Sequence, residues 1–208
     1  MSAVFKNDYY TVTVAPAELP VTVSEFKEFA KISFDDEDAL IAAYLQTATD
    51  LAEAYTGRWF VERTARGDFQ TLLCTRLEQG PFIQINKSPL QSITSVETWN
   101  ESTESYDAFT DYKLKDYITY PRLLFPNSFP DSSWWLHGTE LPRPIRVTFV
   151  AGYGDASAVP QPIKIAIMMM SNALFEDRGD CECAESKGSV GGAARSLLAP
   201  YRILEVFA

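Results

Sequence analysis

Two amphipathic helical segments flank a long β-rich stretch, and behind them runs an apolar tail that no neighbouring segment evidently covers. The switch from helical to strand-like patterning and back predicts an α+β fold. The expected architecture is a mainly helical bundle with a β-rich insertion and an extended C-terminal arm. Residues 1–58 form the N-terminal helical part, 59–155 the β-rich insertion, 156–180 the core helix, and 181–208 a flexible loop with the C-terminal arm, all in one composite domain. The tail contains Leu197, Leu198, Pro200, Tyr201, Ile203, Leu204, Val206 and Phe207 after a loose Gly and Ser stretch. Such a run is expected to pack against a surface that another chain supplies.

Thr22 followed by Glu25 has the spacing of a capping box, and Phe26, Phe29 and Ala30 make one side of the short helix behind it. In the next helix Asp35 or Asp36 can cap, Glu37 and Asp38 suit the positive end of the dipole, and Gly57 supplies the stop. Its main apolar stripe is Leu40, Tyr44, Ala48, Leu51 and Tyr55, widened by Ile41, Leu45 and Ala52, so more than one neighbour is expected to pack on it. Short runs rich in β-branched and aromatic residues predict strands at Phe69 to Thr75, Phe82 to Ile85, Ile93 to Trp99, Tyr112 to Leu114, Leu123 to Phe125 and Ile145 to Val150. The longest expected loop, Pro126 to Pro144, carries Trp134 and Trp135. Past Gly152 and Gly154, Pro160 and Pro162 open a helix whose stripe is Ile163, Ile167, Met170 and Leu174. Ile165, Met168 and Met169 make that helix apolar nearly all round, which predicts a central place in the core.

Composition narrows the function. At 208 residues and 46% apolar the chain can build a sizeable core. Its net charge of −10 argues against a protein that grips phosphates, because such affinity comes from Lys and Arg. The longest apolar run, Ile165 to Met170, is far too short to cross a bilayer, and Met1 to Tyr10 has no signal-peptide core, so a soluble cytoplasmic product with no membrane partner is expected. The three cysteines, Cys74, Cys181 and Cys183, do not read as a disulfide framework. Cys181 and Cys183 could hold a soft metal only with ligands from elsewhere, and two reduced thiols in a loop is the better reading. No metal or cofactor is expected.

The single histidine, His137, would have to serve any Ser-His-Asp or Cys-His arrangement, and it sits in a polar loop. Gly152 and Gly154 lack the third glycine of a dinucleotide fingerprint, and no phosphate-binding Gly-Lys-Ser or Gly-Lys-Thr is present. An enzyme is not expected. Trp59, Trp99, Trp134 and Trp135 keep open a carbohydrate- or receptor-binding tail module as the alternative.

Several blocks together resemble the head-tail connector, or adaptor, family of tailed phages and gene-transfer particles. They are Leu19-Pro20-Val21-Thr22, the run from Asp35 to Ile41, and Ala52-Glu53-Ala54-Tyr55-Thr56-Gly57-Arg58. Ser88-Pro89-Leu90 through Val96, Arg143-Pro144, Val147 through Gly154, Val159-Pro160 with Pro162-Ile163-Lys164, and Leu197-Leu198-Ala199-Pro200-Tyr201-Arg202 follow in the family's order. Residues Trp134 to Leu141 and Cys181 to Gly192 depart from its pattern. The resemblance implies a structural virion protein of the neck, made in the host cytoplasm. It would form a homo-oligomeric ring, commonly a dodecamer, under the portal protein, close the DNA-filled head, and offer a docking surface to a tail-side neck or stopper protein. The implied portal interface is Leu197, Leu198, Tyr201, Arg202, Ile203 and Leu204. DNA would pass the channel without specific binding, with Asp35, Asp36, Glu37 and Asp38 as possible lumen-facing acids, although acids also suit a helix N-terminus. A neighbouring neck or tail-completion protein is the related alternative.

Overall fold

The computed structural model of the protein describes residues 9–69, 82–100, 102–115, 121–125, 145–176 and 191–203. These divide into two compact units of similar size, one from residues up to Ala15 with Arg63–Gly152, the other from Pro16–Glu62 with Tyr153 onward. The first is built of strands and the second of helices. The fold is therefore α+β, with helix and strand in comparable amounts among the described residues. The expected strand residues 70–75, Cys74, Trp134, Trp135, His137, Cys181, Cys183, Leu204, Val206 and Phe207 lie outside the described residues.

The helical unit contains α1 (Val23–Ala30), α2 (Asp38–Thr56), α3 (Gln161–Glu176) and α4 (Gly192–Leu198), the last running into a 3-10 turn at Ala199–Tyr201. Thr22 and Glu25 form the expected capping box: the Glu25 amide donates to Thr22 Oγ1 at 3.2 Å, and the Thr22 amide donates to Glu25 Oε2 at 2.7 Å. Gly57 ends α2 with φ 74°, and its amide donates to the Glu53 carbonyl at 2.8 Å. The start of α2 differs from expectation. Glu37 occupies the cap position without a side-chain capping bond, and the carboxylates of Asp35 and Asp38 are turned to Lys27.

The core of this unit joins Val21, Phe26, Ile41, Leu45, Ala48, Ala52, Phe60, Ile163, Ala166, Ile167 and Leu198. The stripe of α2 is thus rotated from the one expected. Ile41, Leu45, Ala48 and Ala52 are buried, whereas Leu40 and Leu51 keep 38% and 41% of their surface exposed. Thr49 and Thr56 join the buried face because their hydroxyls donate to the Leu45 and Ala52 carbonyls one turn back, which satisfies them without water. α3 is central as expected, with Ile163, Ala166, Ile167, Met168 and Met170 all buried.

In the other unit, β1 (Tyr9–Val14), β2 (Arg63–Phe69), β8 (Ile145–Ala151), β4 (Leu90–Asn100) and β5 (Ser105–Ala108) form one antiparallel sheet in that order. β3 (Phe82–Gln84), β7 (Arg122–Leu124) and β6 (Lys113–Lys115) form a second. β1 puts a strand within residues 1–58, the expected N-terminal helical part, and β2 begins before the strand expected at Phe69 to Thr75. Alternation places Ala65, Phe69, Ile145, Val147, Phe149 and Ala151 inside. β4 carries two register shifts against β8, between Leu90 and Ser92 and between Ile93 and Ser95. Each inserts a residue and resets which side chains face in, so that Leu90 is buried before the shifts and Val96 and Thr98 after them.

Gly67 is required by a close approach. A Cβ there would stand 2.7 Å from Phe69 Cε2 and 3.2 Å from Tyr10 Cε1. The space is filled by aromatic rings, with Tyr10 edge-on to Phe69 at 6.0 Å and to Phe149 at 5.9 Å between centroids. Gly67→Ala should lower stability by about 1–3 kcal/mol in urea unfolding, because fully buried Phe69 has nowhere to retreat. Hydrogen bonding from the Thr22 backbone holds the Glu25 carboxyl below its ordinary value, against an opposing push from burial. That stabilisation is complete above the ordinary Glu value and is lost as pH falls through the depressed folded value. Glu25→Gln should therefore flatten the acid-side decline of thermal stability, read as Tm between about pH 5 and 3.

Candidate assembly surfaces

α4 and the residues after it are held by both side-chain packing and directed bonds. Ala194 and Leu198, four apart on one face of α4, are buried in the helical core, and Leu197 and Tyr201 pack partly against it. The Ile203 amide donates to the Thr56 carbonyl at 2.8 Å. Arg58, itself buried, donates from Nε to the Tyr201 carbonyl at 2.6 Å. Gly57 lies against this segment, where a Cβ would be at ordinary contact distance, 3.6 Å, from Ile203 Cβ. The expectation of an uncovered tail is thus corrected through Ile203. Leu198, expected at the portal, is fully buried within its own chain.

On the outer side of this anchor Arg195 and Arg202 are both exposed. Each guanidinium carbon lies 5.4 Å from the centroid of the Tyr55 ring, so one aromatic ring near the C-terminus of α2 holds two cations. Among the described residues neither arginine has a carboxylate partner.

The opposite end of α2 is acidic. Asp35 is 87% exposed and shares Lys27 Nζ with Asp38, whose Oδ1 is at 2.8 Å. The bond to Asp35 and then that to Asp38 raise the Lys27 pKa above its ordinary value. Asp36 is exposed with no partner among the described residues, and Glu37 is half-buried at the helix cap. Phe29, Phe34, Leu40 and Leu51 are exposed large apolar residues of this unit.

A third feature lies on the five-stranded sheet. Arg146 projects from β8 on the side away from Ile145 and Val147, with Nε 3.1 Å from Asp68 Oδ1 and Nη1 3.9 Å from Glu97 Oε2. Its guanidinium carbon sits 3.7 Å from the Tyr106 centroid, and Asp68 also accepts from Arg66 Nε at 3.2 Å. One arginine thus links residues from four adjacent strands. Of the tryptophans behind the carbohydrate alternative, Trp59 is buried, and Trp99 is half-buried and edge-on to Tyr106 at 5.0 Å.

Among the described residues no three His, Cys, Asp or Glu side chains converge as metal ligands, and no helix is long and apolar enough to cross a membrane. The anchor gives a direct check. Leu198→Ala should lower unfolding stability by about 2–5 kcal/mol, whereas Arg202→Ala should change it by less than about 0.5 kcal/mol. A Leu198 serving only a partner would leave the isolated chain's stability unaltered.

Residues 20–119 match the family model of the phage gp6-like head-tail connector protein. Chains of solved particles share the fold nearly end to end. One is from the neck of an empty GTA particle computed with C6 symmetry, at 18% identity and TM-score 0.67, covering 96% of this chain and 98% of that one. A second is from the virion of a native gene transfer agent particle, at 18% identity and TM-score 0.68, covering 96% and 97%. A third is from the neck of a native GTA particle computed with C12 symmetry, at 20% identity and TM-score 0.67, covering 96% and 98%. No curated protein matches the sequence. The family model thus matches a little under half of the chain, residues 20–119, and the fold is shared along almost its whole length with these neck and virion chains.

Proposed function

We propose that this connector works as a non-catalytic ring beneath a portal protein, closing the filled head and presenting its far side to a tail-side neck or stopper protein. The family match over residues 20–119 carries the reading. Similarity to neck chains of particles treated with sixfold and twelvefold symmetry supports a closed ring, the dodecamer being the simplest form. The anchor at the end of α2 supports an arm. Because Arg58 and Thr56 fix the backbone at Tyr201 and Ile203, whatever follows starts from a defined point.

The portal contact is accordingly assigned to Leu204, Val206 and Phe207, with Tyr201 and Ile203 as their root and Arg202 as an exposed cation beside it. Leu197 and Leu198 serve the chain's own core. DNA passage is favoured by the net charge of −10, which repels the duplex and keeps it mobile. This does not require residues 35–38 as a lining.

Deletion of residues 204–208 should leave the far-UV spectrum and Tm of the purified chain unchanged while abolishing its capture by isolated portal rings. Undiminished portal capture by the shortened chain would remove the arm from this account. A neck reconstruction with the chain bound elsewhere than directly below the portal would remove the connector reading itself.

A further inference from the structure

Among the described residues the arginine pair on Tyr55 has no counter-charge. Two guanidinium groups held on one ring repel each other, and stacking fixes both side chains, which removes part of the entropy that docking an anion would otherwise cost. Such an arrangement fits carboxylates better than it fits solvent, because a guanidinium can make two parallel bonds to one carboxylate.

The same unit carries the complement at the other end of the same helix. α2 has 19 residues, and its rise of 1.5 Å per residue separates Asp38 from Thr56 by about 27 Å. At the N-terminal end stand exposed Asp35 and Asp36, with exposed Phe34 and Leu40 flanking them in sequence. One end is acidic and apolar, the other cationic. A surface that carries two different, complementary patches on one rigid element joins copies head to tail, and repeated with rotation such a contact closes a ring.

We infer that successive copies of this chain are joined by the Arg195–Arg202 pair of one copy receiving the Asp35–Asp36 corner of the next, with Phe34 and Leu40 buried at the contact. The occupant is a second copy rather than nucleic acid, because a surface of net charge −10 disfavours phosphate while the chain itself supplies the carboxylates. This inference rests on the ring reading above and adds its contact. It leaves Arg202 free of the portal, whose contact begins at Leu204.

The test uses the full chain, alone and on isolated portal rings, with self-association followed by analytical ultracentrifugation and electron microscopy. Arg195→Glu with Arg202→Glu, and separately Asp35→Lys with Asp36→Lys, should each weaken self-association about tenfold or more. The milder Arg195→Gln with Arg202→Gln should act in the same direction, and circular dichroism checks that every variant is folded. Mixing the two charge-reversed chains should restore assembly, since every contact in an alternating ring is again between opposite charges. Rings from the wild type that persist in all variants would overturn this contact and leave the connector ring standing. Failure of the wild type to form rings even on the portal would overturn both. Unchanged assembly accompanied by loss of binding to duplex DNA in the arginine variants would assign the pair to phosphate and overturn the inference.

Discussion

The helical core exists only because the chain leaves it and returns at one place. The Tyr153 amide donates to the Phe60 carbonyl at 2.9 Å, and the Glu62 amide donates to the Gly154 carbonyl at 2.8 Å. These two bonds pin the outgoing and incoming backbone together, so that α2, early in sequence, can pack on α3 and α4, which come a hundred residues later. Without that closure Ile41, Leu45 and Phe60 would face water on the side that Ile163, Ile167 and Leu198 now cover. Burying five or six such side chains offsets a loop-closure cost that grows only slowly with loop length. The anchor of the C-terminal segment depends on the same closure, because Arg58 and Thr56 lie between the end of α2 and the departing strand.

The sheet unit uses a different device. A five-stranded sheet with one face in the core must still satisfy the side chains on its other face, and here Arg146 does so by bonding Asp68 and Glu97 while lying on Tyr106. Cross-strand pairs of this kind each contribute modestly. Their value lies in register, because slipping any strand by one residue would bring a charged rung to the core side.

The sequence was legible where periodicity and capping agree. Thr22 with Glu25, Gly57 and the all-round apolar character of α3 are local signals, and local physics decides them. It was misleading along α2, where Leu40 and Leu51 continue the stripe and Thr49 and Thr56 interrupt it, since nothing local shows that both threonines bond their own backbone and go inside. β2 gave almost no signal: Arg-Thr-Ala-Arg-Gly-Asp-Phe has small Ala65 and Gly67 at inward positions, Gly67 because the rings of Phe69 on the same strand and Tyr10 on β1 occupy the space. β1, with Tyr, Thr and Val in alternation, carries a strand signal of its own within the range expected to be helical. The partial alternation of β4 reflects its two register shifts. For the assembly surfaces, the family blocks pointed to the C-terminal segment, but its anchoring to Arg58 spans 143 positions and only three-dimensional structure reveals it.

The split of each unit across the chain also sets an order of events during synthesis. The five-stranded sheet has all its strands once β8 has left the ribosome, whereas the helical core still lacks α3 and α4. The helical unit is therefore the last to close, and its closure waits for contacts of long sequence separation, which form slowly. A chain cut short after β8 has all strands of the sheet but leaves Ile41, Leu45 and Phe60 without the cover of α3 and α4, the kind of exposed apolar surface that chaperones and proteases act on.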